Sequence, residues 1–346
     1  MLPLRSILLL AACSLPGRLP YLNPRVERPA PVRVELLFTG DVMQHLPQVE
    51  AARCGGGFDY DTSLGAVRPL FEGADLVVVN LETTLTRRDR YAGYPQFRSP
   101  AALAGALRRA GVDVACLANN HCCDGGGEGM RTTAAELDSC GIRRTGVFVD
   151  SADYKKNNPL YLTCRGIRFA LLDYTYGTNG LPVPAGTLVN RIDTVQMARD
   201  LAAAAEAGVD CKVVSIHWGD EYARQPNASQ RALAAFLRRH GADLIVGSHP
   251  HVVQPWEADS AHVVLYSLGN FVSNQRRRYT DGGLVARIGA AKHPDGRMTY
   301  SLETIPVWVR LPDYRVLPPA AADTAPLPAA YRLFRDDMDR LTGTAL

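Results

Sequence analysis

Oxygen and nitrogen donors recur at one kind of place in this chain, directly after a short apolar run. VELLFTG is followed by Asp41, with His45 shortly after; LVVVN by Glu82; and VACLA by Asn119-Asn120-His121 and Asp124. KVVSI is followed by His217, DLIVGS by His249 and His251 on either side of Pro250, and VVLYSL by Gly269-Asn270. Carboxylate oxygens, imidazole nitrogens and an amide oxygen, without thiolate, suit divalent ions such as Mn, Fe, Zn or Mg better than a structural zinc site. Several such groups from separate strands can hold two ions ~3.5–4 Å apart, an arrangement that serves phosphoester hydrolysis by lowering the pKa of a bound water to about 7. A carboxylate between the ions relieves repulsion that a neutral ligand cannot. Taken singly, each residue also has an ordinary reading: Asp41 or Glu82 as a cap, Asn120 and His121 as a loop pair, His217 as a core histidine. His240, His262 and His293 lack such company and read as ordinary histidines.

The apolar runs that would position these groups alternate with helix-like segments. VRVELLF precedes a helix around Leu64–Glu72, DLVVVN precedes Ala101–Ala110, and VDVACLA precedes Glu128–Cys140. After GTNGLPVPAG the theme repeats: a helix around Thr194–Ala207 precedes KVVSIH, and one around Gln230–His240 precedes DLIVGS. The strands HVVLYSL, GGLVARIGA and RMTYSLETIPVWVRL follow. This is the pattern of an α/β protein whose sheets are covered on their faces, with ligands in the crevice beyond the carboxyl ends of the strands. Two β-rich halves facing each other predict a layered sandwich rather than two independent domains. Leu327–Leu341 predicts one amphipathic closing helix.

With 346 residues, 47% hydrophobic and 21% charged, the chain has the composition of a folded globular protein. No apolar run approaches the length of a membrane-spanning helix, and a net charge of +3 implies no nucleic-acid partner. The N-terminus MLPLRSILLLAACSLPG has one Arg, a short apolar run and Leu10-Ala11-Ala12-Cys13, which resembles a bacterial lipoprotein signal. That predicts an exported protein held to the extracytoplasmic side of a membrane by lipid on Cys13, with a plain short signal peptide or a disordered start as the alternative. The organisation expected is a signal segment 1–13, a Pro- and Arg-rich tether 14–32, a folded domain 33–315 and a C-terminal linker and helix 316–346. The 8 cysteines have no spacing that reads as a disulfide framework or zinc knuckle, and Cys116 and Cys211 fall in apolar strands as buried thiols.

Assembled in order, TGDVMQH, VVNLETTLT, FRSPAAL, LANNHCCDGG, YTYGTNGLPVP, IHWGDEY, GSHPHVVQP and YSLGNFVSNQ resemble the CapA family of poly-γ-glutamate capsule biosynthesis proteins, a branch of the calcineurin-like metallophosphoesterase superfamily. The resemblance implies an α/β fold, a four-layer α-β-β-α sandwich with two divalent metals at the strand ends between two sheets. It makes Asp41 the first metal carboxylate, Glu82 the replacement for the usual bridging Asp, and Asn120 the amide ligand. His217, His249 and His251 become imidazole ligands, His121 the group that stabilises the transition state or protonates the leaving oxygen, and Asp124 its orienting carboxylate. Three departures stand out: Asp41-Val42-Met43-Gln44-His45 replaces Asp-x-His, so His45 enters the ligand set at a different spacing; Glu82 is longer than Asp; and SNQRRR replaces a Phe-Asp-Gln ending.

The function so implied is a metal-dependent, phosphoesterase-like protein of the cell envelope, serving synthesis, release or transport of an anionic capsule polymer. Its partners would be that polymer or a phosphoester substrate, the membrane, and polymer synthesis or export proteins. Two alternatives stay open: a non-catalytic polymer-binding or export subunit with a structural metal, and a γ-glutamyl amide hydrolase. Arg276-Arg277-Arg278 would attract a polyanion or form a solvated loop.

Overall fold

The computed structural model describes residues 29–322 and 328–342. The expected signal segment with Cys13, and the tether up to residue 28, lie outside the described residues. We number the strands of the two main sheets only. They are β1 (Val32–Val42), β2 (Leu76–Leu81), β3 (Val114–Cys116), β4 (Arg143–Thr145), β5 (Leu160–Cys164), β6 (Ile167–Thr175) and β7 (Cys211–His217). β8 (Leu244–Ser248), β9 (Trp256–Ala258), β10 (Val263–Leu265), β11 (Asn270–Val272), β12 (Gly282–Lys292), β13 (Met298–Arg310) and β14 (Arg315–Leu317) complete them.

One sheet has eight strands, ordered β14-β13-β12-β1-β2-β3-β4 with β11 also paired to β1; the other has six, β5-β6-β7-β8-β10-β9. Alternate side chains on each strand separate into three apolar cores. On β1, Val34, Leu36 and Phe38 face the second sheet, while Leu37 faces helices. On β7 and β8, Val213, Leu244 and Val246 face the first sheet, while Val214, Ile216 and Ile245 face the opposite way. Strands with two apolar faces need cover on both, and the helices supply it. Leu103 and Leu107 of helix Ala102–Ala110, and Met130 and Leu137 of helix Gly126–Ser139, cover the first sheet. Met197 and Leu201 of Thr194–Glu206, and Leu237 of Ala228–Arg239, cover the second. The layers are therefore α-β-β-α, as expected.

Two expectations need correction. The long strands GGLVARIGA and RMTYSLETIPVWVRL do not stay with the second half; as β12 and β13 they cross back beside β1, so the first sheet is built from both ends of the chain. The expected helix over Leu64–Glu72 is broken into Asp61–Leu64, a 3₁₀ turn Gly65–Val67, and Arg68–Glu72. Gly65 weakens the helix interior, and Pro69 has no N–H to continue it.

The closing helix is present over Ala329–Thr342. Its Tyr331, Phe334, Met338 and Leu341 recur at helical spacing and enter the core between the sheets, with Tyr331 5.5 Å from Trp308 ring to ring. Among the described residues, no helix is long and apolar enough to cross a membrane.

The site follows from register. β1, β2 and β3 run parallel, as do β6, β7 and β8, and both sets end at the same edge of the sandwich. Asp41 pairs with Asn80, and His217 pairs with both Thr175 and Ser248.

Candidate metal centre

Each ligand-bearing turn is fixed by its own backbone. Gly40 lets β1 pass close to the chain before β11, since a Cβ there would lie 2.0 Å from the Gly269 oxygen. Asp41 Oδ1 accepts from Asn80 Nδ2 at 2.8 Å, and the Glu82 N–H donates to Val42 O at 2.9 Å. Asn119 pins the turn after β3: its Nδ2 donates to Leu81 O at 2.8 Å while its Oδ1 accepts the His121 N–H at 3.1 Å. After β8, His249 and His251 take φ of 99° and 58°. Such backbone is uncommon outside glycine and costs of order 1–3 kcal/mol per residue where the surroundings enforce it. The Tyr222 N–H holds this segment by donating to Pro250 O at 2.8 Å.

The side chains converge on Glu82. His217 Nδ1 lies 2.8 Å from Ser248 Oγ, whose hydroxyl is turned toward Ile216 O. With Nδ1 engaged there, Nε2 lies 2.9 Å from Asn120 Oδ1 and 3.8 Å from Glu82 Oε1. On the other side, His251 Nε2 is 3.8 Å from the same Glu82 oxygen. Its Nδ1 lies 3.0 Å from Asp41 Oδ2 and 3.1 Å from Asn270 Oδ1.

Glu82 is 0% exposed, and neither of its carboxylate oxygens has a hydrogen-bond donor. Burial, then Asp41, Glu221 and Asp124, push its carboxyl well above the usual range. Burial, followed by neighbouring imidazoles, pushes His217 well below its usual value. Burial, with His251 next, lowers His249 to about 3. Imidazole nitrogens and carboxylate oxygens are thus buried against one another, with both Glu82 oxygens and His249 Nδ1 left without a hydrogen-bond partner. Buried polar atoms without partners are rare, and a cation is what satisfies this set.

Two groups of ligand atoms each lie within 4.8 Å of one another: Asp41, Glu82 and His251, and Glu221, His249 and His251. His251 belongs to both, and His249 Nδ1 is buried without a partner. The donors are oxygen and nitrogen alone, consistent with divalent metal.

His121 and Asp124 form a separate pair. His121 Nδ1 is 2.7 Å from Asp124 Oδ2, which also accepts the Phe97 N–H at 2.6 Å, and the Phe97 ring packs edge-on at 4.6 Å. His45 is placed differently from the ligand set. Its Nδ1 lies 3.1 Å from Gln48 Oε1 and 3.3 Å from the Asn274 amide nitrogen, so only Nε2 is left, and it joins neither ligand group. Burial first lowers His45 to about 4, with a hydrogen bond to the Gln48 amide oxygen opposing. Tyr176 walls the imidazole side, stacked 6.2 Å from His217 and tilted against His249 at 4.6 Å.

Residues 35–275 match the family described as bacterial capsule synthesis protein PGA_cap. The chain belongs to this family. Within it, the chain is 30% identical over 304 residues to the capsule biosynthesis protein CapA of Bacillus anthracis, spanning 82% of this chain and 70% of that one. It is 29% identical over 279 residues to the PGA biosynthesis protein CapA of Bacillus subtilis (strain 168), spanning 80% of this chain and 72% of that one. A novel phosphatase of Mycoplasma pneumoniae shares the fold at TM-score 0.51 and 12% identity, over 88% of this chain and 99% of that one.

In this PGA_cap protein, then, Asp41, Glu82, Asn120, His217, His249 and His251 lie in one buried cluster, with His121 and Asp124 paired to each other. Sequence reasoning missed Glu221, whose only signal was its place in IHWGDEY, the block that carries His217. It also missed Asn80 and Ser248, whose roles depend on cross-strand register.

Proposed function

We propose that this capsule-family protein is a metal-dependent, phosphoesterase-like hydrolase of the cell envelope, acting on an anionic capsule-type polymer during its synthesis, release or transport. The observation that carries the reading is Glu82: a wholly buried carboxylate with no donor, facing Asp41 and the imidazoles of His217 and His251. Asp41, Glu82, Asn120, His217, His249 and His251, with Glu221 at the mouth, would hold the ions. Divalent ions held there supply Lewis acidity, lowering the pKa of a water toward about 7 and drawing off negative charge as an ester is attacked.

The chain's own residues supply the rest. Asp124 accepts from His121 Nδ1 and so fixes the ring with Nε2 free to give a proton to the leaving oxygen. Ser248 and Asn270 hold His217 and His251 in one orientation each, as partners behind metal-ligating histidines do. Tyr176 covers the imidazole face and limits water on that side.

Metal analysis and hydrolysis of a generic phosphodiester test this together. His121→Ala should keep its metal and lose roughly 10²–10⁴-fold in turnover. A metal-replete wild type with no turnover on phosphoesters or γ-glutamyl polymer would favour a non-catalytic binding or export role. Export and anchoring through Cys13 belong to the same proposal. Cys13→Ser should release the protein from the membrane fraction, and retention there would remove the lipid anchor.

A further inference from the structure

The segment Ser273–Thr280 is tied into the ligand shell at two points. Asn270 meets His251 Nδ1 through its Oδ1, and its Nδ2 donates to Gln275 Oε1 at 3.0 Å and Thr280 O at 2.8 Å, on either side of the three arginines. The Asn274 N–H lies 3.3 Å from His45 Nδ1. A loop held this way keeps a fixed position relative to the metal ligands.

The three arginines differ in what already engages them. Arg278 pairs with Asp337 of the closing helix at 3.2 Å. Arg276 donates to Gln275 O and Ser273 O at 3.2 and 3.4 Å. Arg277 is exposed, and among the described residues it has no ion pair; its guanidinium lies 4.4 Å from the centre of the Tyr222 ring. Tyr222 is itself 6.2 Å from His251, ring to ring. On the facing loop, Arg224 lies 4.1 Å over Tyr279, with a buried Nε that has no partner.

The two loops thus interlock through reciprocal arginine–tyrosine contacts. The neighbouring acids are already engaged: Asp337 by Arg278, Asp281 by the Trp308 indole N–H at 2.9 Å, and Glu221 among the imidazoles. A cavity of about 320 Å³ opens beside Arg277, lined also by Arg276, Arg278, Tyr279, Leu333 and Phe334.

Stacking uses the face of a guanidinium and leaves its in-plane N–H groups for a planar oxyanion. We infer that Arg277, supported by Arg224 on the interlocked loop, is an oxyanion-binding arm of the metal centre that holds a carboxylate or phosphate of the substrate away from the bond being broken. This rests on the reading of the pocket as a site for an anionic polymer. A chain carrying repeated charge would be gripped at two points, the ions and the arm, which fixes its register; a neutral chain would have only one.

The test is equilibrium binding of metal-loaded full-length protein to poly-γ-glutamate, polyphosphate and neutral dextran, using wild type, Arg277→Gln, Arg277→Lys and Arg224→Gln. Arg277→Gln should raise the Kd for the anionic polymer roughly tenfold, Arg277→Lys should recover part of that, and 1 M salt should erase the difference, the Debye length there being about 3 Å. Preference between the first two polymers tells carboxylate from phosphate. Equal affinities for wild type and Arg277→Gln, equal losses in the Gln and Lys variants, or dextran bound as tightly as the polyanions would each overturn the arm. A wild type that hydrolyses phosphodiesters but shows one of these results would sink the arm alone. One that binds polyanion through Arg277 without hydrolysis would sink the reaction and leave the arm.

Discussion

Glu82 is a buried carboxyl with no hydrogen-bond donor at the centre of the site. Its carboxyl is raised by burial and by the acids around it, so the metal-free folded state holds a proton that the unfolded chain has released. With native pKa above the unfolded value, the stabilising contribution is present at low pH and is lost as pH rises through the native value. In chelator, wild type should therefore lose stability relative to Glu82→Gln as pH rises above 4.5, while Glu82→Gln should fail to retain metal in its absence. Thermal unfolding of both proteins from pH 5 to 8, with and without metal, checks this; parallel curves in chelator would contradict it. At this scale the sequence was informative wherever a residue sits at or just past the carboxyl end of an apolar strand, as Asp41, Glu82 and His217 do. It was silent on Ser248, and it named Asn270 without its role; the value of both lies in orienting a ring that arrives from another strand.

Among the elements, Asp173 on β6 joins the two sheets beneath the pocket. Its Oδ2 accepts the Ala118 N–H at 2.7 Å, in the turn that leads to Asn120 and His121. Gly146, with φ of 90°, lets the chain pass this contact, since a Cβ there would lie 2.1 Å from that oxygen. Burial raises the Asp173 carboxyl to about 7, against hydrogen bonds from Ala118, Ser215 and Leu117 that lower it. The native state again holds the extra proton, so stability is full near pH 4 and falls as pH climbs toward 7. Asp173→Asn keeps an acceptor for Ala118 without the charge. It should unfold in urea with less pH dependence, the difference from wild type approaching a few kcal/mol (about 1.4 per pKa unit) by neutral pH; an unchanged slope would refute it. Helix positions were largely legible in the sequence, as over Thr194–Glu206 and Ala228–Arg239, whose starts Asp193 and Asn227 cap in the structure. The return of β12 and β13 to the first sheet was not, because an apolar run does not say which sheet it joins.

For the whole molecule, closure of the sandwich depends on its last described helix. Phe334 is buried between the sheets, and its ring would lie 2.8 Å from a Cβ placed on Gly282 of β12. Phe334→Ala should cost about 3–5 kcal/mol, measured by denaturant unfolding. A loss below 1 kcal/mol would mean that the helix is dispensable to the core. The four-layer architecture was legible from the alternation of apolar runs and helices and from the family blocks.

The backbone at His249 and His251 has a further consequence for how this protein would respond to selection. Both positions are better suited to glycine or asparagine than to histidine. A screen for heat tolerance run in chelator would thus be expected to favour replacements at these two positions first, because the fold gains when the ligands are lost. Run with metal present, the same screen should keep both histidines. The two outcomes would separate what the chain tolerates as a fold from what it retains for its ions.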